Sequence, residues 1–124
     1  MKISVEKINS EPKHSVSKKD IQFVLSKIPF DYSETVIEFK ISAQLFSNSK
    51  WNRPVIFNNT TFNILSRGLS KREIISELLI EIFRERNHTI YPTYAHKLNN
   101  SQRKKLQEIT AKYESEIFDI LDND

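Results

Sequence analysis

The 124-residue sequence has no cysteine and a single glycine. Without cysteine the chain has no disulfide, no thiolate nucleophile and no cysteine-bound zinc. One glycine excludes the dinucleotide-binding fingerprint and the phosphate-binding P-loop, because both need several glycines at fixed spacing. No apolar run approaches the length of a membrane span, and the N-terminal residues lack the apolar region of a secretory signal. We therefore expect a cytoplasmic protein.

The composition predicts one folded domain. Hydrophobic residues make up 38% of the chain and include eight phenylalanines, which favours an ordered core over disorder. A chain of this length can bury about two thirds of the surface that it exposes when unfolded. We assign one domain to residues 1–124, with residues 1–16 partly irregular and residues 122–124 a frayed tail. The abundance of Ile, Lys, Asn and Ser is typical of an AT-rich phage or microbial genome.

The clearest predicted element is an amphipathic helix from Lys71 to about Arg86. Ser70 and Glu73 have the spacing of a capping box, in which each side chain satisfies a backbone donor near the other. Leu69 and Ile74 have the spacing of a hydrophobic staple. The single glycine stands just before this helix, where the chain must turn and a positive φ is expected.

Two further helices are predicted from their caps and apolar stripes. The first begins near Ser17, followed three residues later by Asp20 in a weaker form of the capping box, and it ends at Pro29. The last helix runs from about Gln102 to Leu121, with apolar residues at helical spacing.

The strand pattern is short and alternating. Residues 2–8 alternate weakly and predict an edge strand, whereas residues 35–41 predict a strand with Ile37, Phe39 and Ile41 on one face. Together with the helices, these strands predict an α+β fold. We expect a small, mostly antiparallel sheet of three or four strands, packed on one face by about three amphipathic helices.

The segment 54–65 predicts a β-hairpin that turns at Asn58 and Asn59, since asparagine tolerates the positive φ of tight hairpin turns. A two-residue loop at this position puts Phe57 opposite Thr60. The predicted buried face then consists of Val55, Phe57, Phe62 and Ile64.

Three glutamates follow each other at four-residue spacing on the second predicted helix: Glu73, Glu77 and Glu81. We interpret them as a solvated helix face on which Glu81 pairs with Arg84 or Glu85, as most charged ladders on amphipathic helices do. The alternative is a divalent cation held by stacked carboxylates.

Strands followed by an acidic amphipathic helix resemble the layout of minimal zinc peptidases, whose helix carries H-E-x-x-H. The matching residues here are Ser76, Glu77 and Ile80, so only the glutamate coincides. Neither Ser76 nor Ile80 can replace a histidine ligand, and the resemblance implies a degenerate fold without activity. The three histidines match no metal-ligand spacing. We expect no catalytic residue, no metal and no cofactor.

The segment from residue 91 to residue 105 combines aromatic and basic side chains. Tyrosine and arginine dominate protein-interface hot spots, while the same mixture also fits nucleic acid. The remaining alternative is an ordinary loop whose tyrosines pack on the core. The candidate partner-binding residues are Tyr91, Tyr94, His96, Lys97, Arg103, Lys104 and Lys105, together with Trp51 and Arg53 at the entrance of the hairpin.

The last predicted helix starts with cations and ends with acids, which opposes the helix macrodipole. We interpret these opposed charge blocks as placed for a partner, or for self-association between copies. The expected function is therefore that of a small non-enzymatic protein-binding protein of the inhibitor or adaptor type. Nucleic-acid binding through residues 91–105 is the alternative.

Overall fold

The structure is a computed structural model that describes residues 2–33, 36–87 and 98–122. These residues form the predicted α+β fold, with a four-stranded sheet and three α-helices. The elements are β1 (Lys2–Val5), α1 (Lys18–Ser26), β2 (Glu38–Ile41), β3 (Val55–Asn58), β4 (Thr61–Ile64), α2 (Lys71–Arg86) and α3 (Asn100–Asp122).

The sheet is mixed, with the strand order β1-β2-β4-β3. β2 pairs in parallel with both β1 and β4, and only β3 and β4 are antiparallel. The prediction of a mostly antiparallel sheet was therefore wrong. The crossover through α1 returns the chain to the same end of the sheet, which makes β1 and β2 parallel. The hairpin then inserts β4 beside β2 and leaves β3 at the edge.

The hairpin turns one residue later than predicted, at Asn59 and Thr60. Asn59 has a φ of 60°, as expected for an asparagine in a tight turn. Phe57 lies opposite Phe62 instead of Thr60, and the two ring centroids are 4.6 Å apart. The pairing differs from the prediction by two residues. Because side chains alternate with a period of two, the predicted buried face is still correct.

A bulge precedes β2 and reverses the expected alternation. The amide groups of Ile37 and Glu38 both donate to the carbonyl of Thr60, at 2.8 and 3.4 Å. Two residues on one strand therefore face one residue on the other. Val36 is buried, while Ile37 is 61% exposed. The prediction that Ile37 shares the buried face of Phe39 was wrong for this reason.

Both predicted serine caps are present. At α1 the capping box is complete: Asp20 N–H donates to Ser17 Oγ at 3.2 Å, and Ser17 N–H donates to Asp20 Oδ2 at 2.8 Å. At α2, Glu73 N–H donates to Ser70 Oγ at 3.1 Å, and that hydroxyl donates to the Glu73 carboxylate at 3.2 Å. The helix spans Lys71–Arg86, as predicted.

The core lies between the sheet and α2. α1 packs beside β1, α2 packs on β3, and α3 packs mainly against α2. α2 is thus covered from more than one side, and its buried residues extend beyond the predicted apolar stripe to Ile80, Glu81 and Arg84.

Arg67 fastens the segment between β1 and α1 to the rest of the fold. Its guanidinium donates to the carbonyls of Pro12 at 2.8 Å and Ala43 at 2.6 Å. It also donates to Ser10 Oγ at 3.1 Å and, at 3.4 Å, to the carbonyls of Ser10 and Glu11. Arg67 is only 8% exposed, so these bonds replace its hydration.

We expect Arg67→Ala to lower the free energy of unfolding by about 2–4 kcal/mol, because several part-buried carbonyls lose their donor. Urea denaturation would measure the change. The exposed Lys104 provides a control, since Lys104→Ala should change stability by no more than about 0.5 kcal/mol. Equal midpoints for the two variants would contradict the role of Arg67.

Gly68 has a φ of 95°, and an added Cβ would meet no heavy atom within 4 Å. The cost of Gly68→Ala should therefore be backbone strain alone, on the order of 1–2 kcal/mol. Gly68→Asn should cost less, since asparagine tolerates positive φ better. Thermal unfolding of both variants checks this order, and an alanine variant as stable as the wild type would refute it.

Candidate functional site

A cleft of about 600 Å³ lies between residues 46–54, α2 and α3. This volume is within the range of ligand-binding sites, roughly 300–1,000 Å³. Its apolar walls are Phe46, Pro54, Leu69, Leu98 and Phe118. Its charged lining consists of Arg53, Arg72, Arg84, Arg103, Glu73, Glu77, Glu81 and Glu114. Apolar and charged groups therefore meet in a single concave surface.

The three glutamates at four-residue spacing on α2 all line this cleft. Glu73 is exposed, but Glu77 is partly buried and Glu81 is only 2% exposed. The interpretation of a solvated helix face was therefore wrong for Glu81, because residues of the 46–54 segment and α3 cover this side of α2. The predicted pair is present, with Arg84 Nη1 3.3 Å from Glu81 Oε1.

Glu81 lies between two arginines deep in the cleft. Its Oε1 atom is 2.9 Å from Arg53 Nε and 3.3 Å from Arg84 Nη1. Burial raises the pKa of the Glu81 carboxyl, and the two guanidinium groups only partly offset this effect. Burial likewise lowers the pKa of Arg84, against the opposing effect of Glu81. These three side chains form the buried charge cluster, a name used below for this set.

α3 closes the other side of the cleft through polar contacts. Arg103 forms an ion pair with Glu77 Oε1, and Ser76 Oγ donates to Glu114 Oε1 at 2.6 Å. The second carboxylate oxygen of Glu77 is buried and has no hydrogen-bond partner among the described residues. These contacts, together with the apolar packing of α3, fix the width of the cleft.

Arg72 lies at the outer lip of the cleft, over the ring of Phe118. The guanidinium carbon of Arg72 lies 4.2 Å from the centre of the Phe118 ring, which is cation–π geometry. Arg72 is exposed, so this contact is at the surface. Phe118 itself is only 7% exposed, so the guanidinium of Arg72 covers its ring.

α3 begins at Asn100, two residues before the predicted start. Asn99 and Gln102 cap this end: Gln102 N–H donates to Asn99 Oδ1 at 2.8 Å, and Asn99 N–H donates to Gln102 Oε1 at 3.0 Å. Arg103 stands in the first turn against the helix macrodipole. Its ion pair with Glu77 offsets that cost, which gives a structural reason for one of the three cations at this position.

The structure brings together two of the sequence-derived candidates, since Arg53 and Arg103 both line the cleft. Lys104 and Lys105 are exposed on α3 and do not line it. Trp51 is partly buried, and the Lys50 ammonium lies 6.0 Å from its ring. The predicted binding residues Tyr91, Tyr94, His96 and Lys97 lie outside the described residues.

Arg72, Glu114 and Phe118 also line the cleft, although no sequence pattern had marked them as candidates. One signal was available: the cations at the start of the last helix are unfavourable unless they have acidic partners elsewhere. Glu77 on α2 is such a partner, since it pairs with Arg103. No comparable pattern in the sequence predicts that Glu114 and Phe118 on α3 face the cleft.

Metal and membrane signals are absent from the described part of the chain. No group of three or more His, Asp or Glu side chains there is arranged to hold a metal ion. Within the same ranges, no helix combines the length and apolar character needed to cross a bilayer. Comparisons of the sequence with protein-family models, with curated proteins and with solved structures found no match.

We expect Arg84→Met to destabilise the protein by about 3–5 kcal/mol at pH 8, because Glu81 then has one counter-charge fewer while it stays buried. The loss should be smaller at pH 5. The folded-state pKa of Glu81 is raised above its ordinary value of 4.5. Protonation of Glu81 therefore stabilises the folded state. This contribution is fully present below pH 4.5 and is lost as the pH rises through the folded-state pKa.

Arg86 gives a matched control, since it lies one half-turn further along α2 and pairs with Asp31 at 2.8 Å on the exposed surface. Arg86→Met should cost no more than about 1 kcal/mol. Adding Glu81→Leu to the Arg84 variant should recover part of the lost stability and remove its pH dependence, because the buried carboxylate is gone but Arg53 loses its contact with Glu81. Chemical denaturation at pH 5 and pH 8 measures the stability of the two single variants and of the double variant. An equal loss of stability at both pH values for Arg84→Met would refute the role of Glu81.

Proposed function

We propose that this protein is a non-enzymatic, cytosolic binding protein of the inhibitor or adaptor type, which takes a segment of another protein into the cleft. The observation that supports this most directly is the lining of the cleft. Arginines stand beside phenylalanines on one concave surface, and both residue types are enriched at protein interfaces.

The charges of the cleft favour a peptide over a polyanion. Four arginines are matched by four glutamates, so the lining as a whole is neutral. A nucleic-acid backbone would meet carboxylates as often as cations, whereas phosphate binding requires an excess of cations. A peptide segment with an apolar anchor and polar or charged neighbours can use both kinds of group.

The pairing of the charged groups supports binding rather than catalysis. Glu81 contacts two guanidinium groups, and Glu77 contacts Arg103. The Ser76 hydroxyl donates a hydrogen bond to the Glu114 carboxylate. A serine nucleophile needs a neighbouring base that accepts its proton, such as histidine, and the described residues that line the cleft include no histidine or lysine. These side chains instead form a rigid, pre-organised surface, which lowers the entropic cost of binding.

The nucleic-acid alternative shares Arg103 with the cleft but also uses residues outside it. Lys104 and Lys105 are exposed on α3, where they are accessible to phosphate. Their contacts would be independent of the apolar walls of the cleft. The two functions can therefore be separated by variants that change one surface and leave the other intact.

A random peptide library displayed on phage and selected on the immobilised full chain tests the proposal. Enriched peptides should bind at least about tenfold more weakly to Phe46→Ala and to Arg72→Glu, which remove an apolar wall and reverse a charge at the lip. Titration of synthetic peptides by calorimetry gives the affinities. Thermal unfolding checks that each variant is folded.

Lys105→Glu makes the same change of charge as Arg72→Glu but lies outside the cleft, so it should leave peptide affinity unchanged. A gel-shift titration of the same proteins with single- and double-stranded DNA and RNA at low salt tests the nucleic-acid alternative. No enriched peptide, or peptide binding that depends on Lys105 and not on Arg72, would overturn the proposal. Salt-sensitive nucleic-acid binding lost in Lys105→Glu would establish the alternative.

A further inference from the structure

β1 leaves one edge of the sheet open. Among the strands that the structure describes, it is an outer strand whose one partner is β2. Natural edge strands are often protected by their short length, by charged side chains such as lysine, by proline or by a covering segment. β1 has only four residues and carries Lys2, but it contains no proline, and the apolar side chain of Val5 is 42% exposed. An edge strand that exposes an apolar side chain can accept a further strand when the charges of the incoming strand complement its own.

The ladder determines which backbone groups face this open edge. Lys2 N–H donates to the carbonyl of Ile37, and Glu6 N–H donates to the carbonyl of Ile41, so the even-numbered residues bond towards β2. In a parallel ladder, the residues between them point the other way. The N–H and C=O groups of Ile3 and Val5 therefore face outwards.

We propose that this edge pairs with the same edge of a second copy of this chain, antiparallel about a two-fold axis at Ser4. Ile3 then lies opposite Val5 of the second copy, so both outward-facing residues of each β1 form hydrogen-bonded pairs. On the polar side of the sheet, Lys2 lies opposite Glu6. The sequence from Lys2 to Glu6 is thus complementary to itself in apolar character, hydrogen bonding and charge.

Contacts with neighbouring residues hold the Glu6 carboxylate where Lys2 of a second copy would meet it. Its Oε1 atom accepts a hydrogen bond from Ala43 N–H at 2.9 Å, and its Oε2 atom is 3.7 Å from Lys40 Nζ. The carboxylate is therefore held at the end of β1, yet its side chain remains 44% exposed. A lysine from a second copy can reach it without breaking the bond to Ala43.

α1 provides additional apolar surface beside the edge. A shallow groove next to β1 is lined by Ile3 and Leu25, with Lys2, Lys18 and Gln22 around them. When two edges pair, the two-fold axis brings both α1 helices to the same face of the joined sheet. The partly buried Leu25 and the exposed Val5 then contribute to a continuous interface.

The proposal can be tested by sedimentation velocity with the wild-type chain over a concentration series. A reversible dimer is expected. Lys2→Glu places like charges opposite each other at both ends of the paired strands and should weaken the dimer about tenfold. Lys7→Glu, the matched control, makes the same change of charge just outside the strand and should leave the dimer unchanged.

Mixing two variants gives a readout that misfolding cannot imitate. Lys2→Glu and Glu6→Lys should each be mainly monomeric alone, since each brings like charges together. A mixture of the two should form dimers, because residue 2 of each chain then meets an opposite charge at residue 6 of the other.

Amide hydrogen exchange by NMR shows the register directly. The amides of Ile3 and Val5 should become protected as the protein concentration rises, while the Ser4 amide is protected at all concentrations by its bond to β2. A wild-type chain that remains monomeric at millimolar concentration would overturn the proposal. A dimer that tolerates Lys2→Glu but dissociates in a Lys104→Glu, Lys105→Glu double variant would also overturn it, in favour of the opposed charge blocks.

Discussion

The contact between Glu81 and its two arginines is the constraint on which the arrangement of α2 depends. α2 carries charged side chains on a face that other parts of the chain cover. A buried carboxylate is tolerated only with counter-charges close to it. Arg84 comes from the same helix, but Arg53 comes from the segment before β3. The ion pair therefore fixes the position of that segment relative to α2 and creates one wall of the cleft.

Local features of the sequence predicted much of this fold. The bounds of α2, the two serine caps and the buried face of the hairpin follow from residue spacing, because caps and side-chain alternation are local properties. Strand direction is different, since an alternating pattern reads the same in a parallel or an antiparallel pair. The bulge at Ile37 depends on the carbonyl of Thr60, which lies far away in the sequence.

The candidate site was less accessible to sequence reasoning for the same reason. Arg53 at the entrance of the hairpin and Arg103 in the 91–105 segment were predicted as binding residues, and both line the cleft. The burial of Glu81 could not be predicted, because a glutamate ladder looks the same whether water or α3 covers it. Arg67 likewise gave no sequence signal, since its partners are carbonyl groups of distant residues.

The strand order determines how many targets a dimer of the proposed kind would bind at once. β1 forms one edge of the sheet, and β3, which follows directly after the cleft residues Arg53 and Pro54, forms the other. Neighbouring strands lie about 4.8 Å apart, so pairing through β1 would separate the two clefts by the width of eight strands, on the order of 35 Å. Such a dimer is bivalent. It would retain a partner that carries two target segments far longer than either cleft alone, through effective concentration rather than through new contacts.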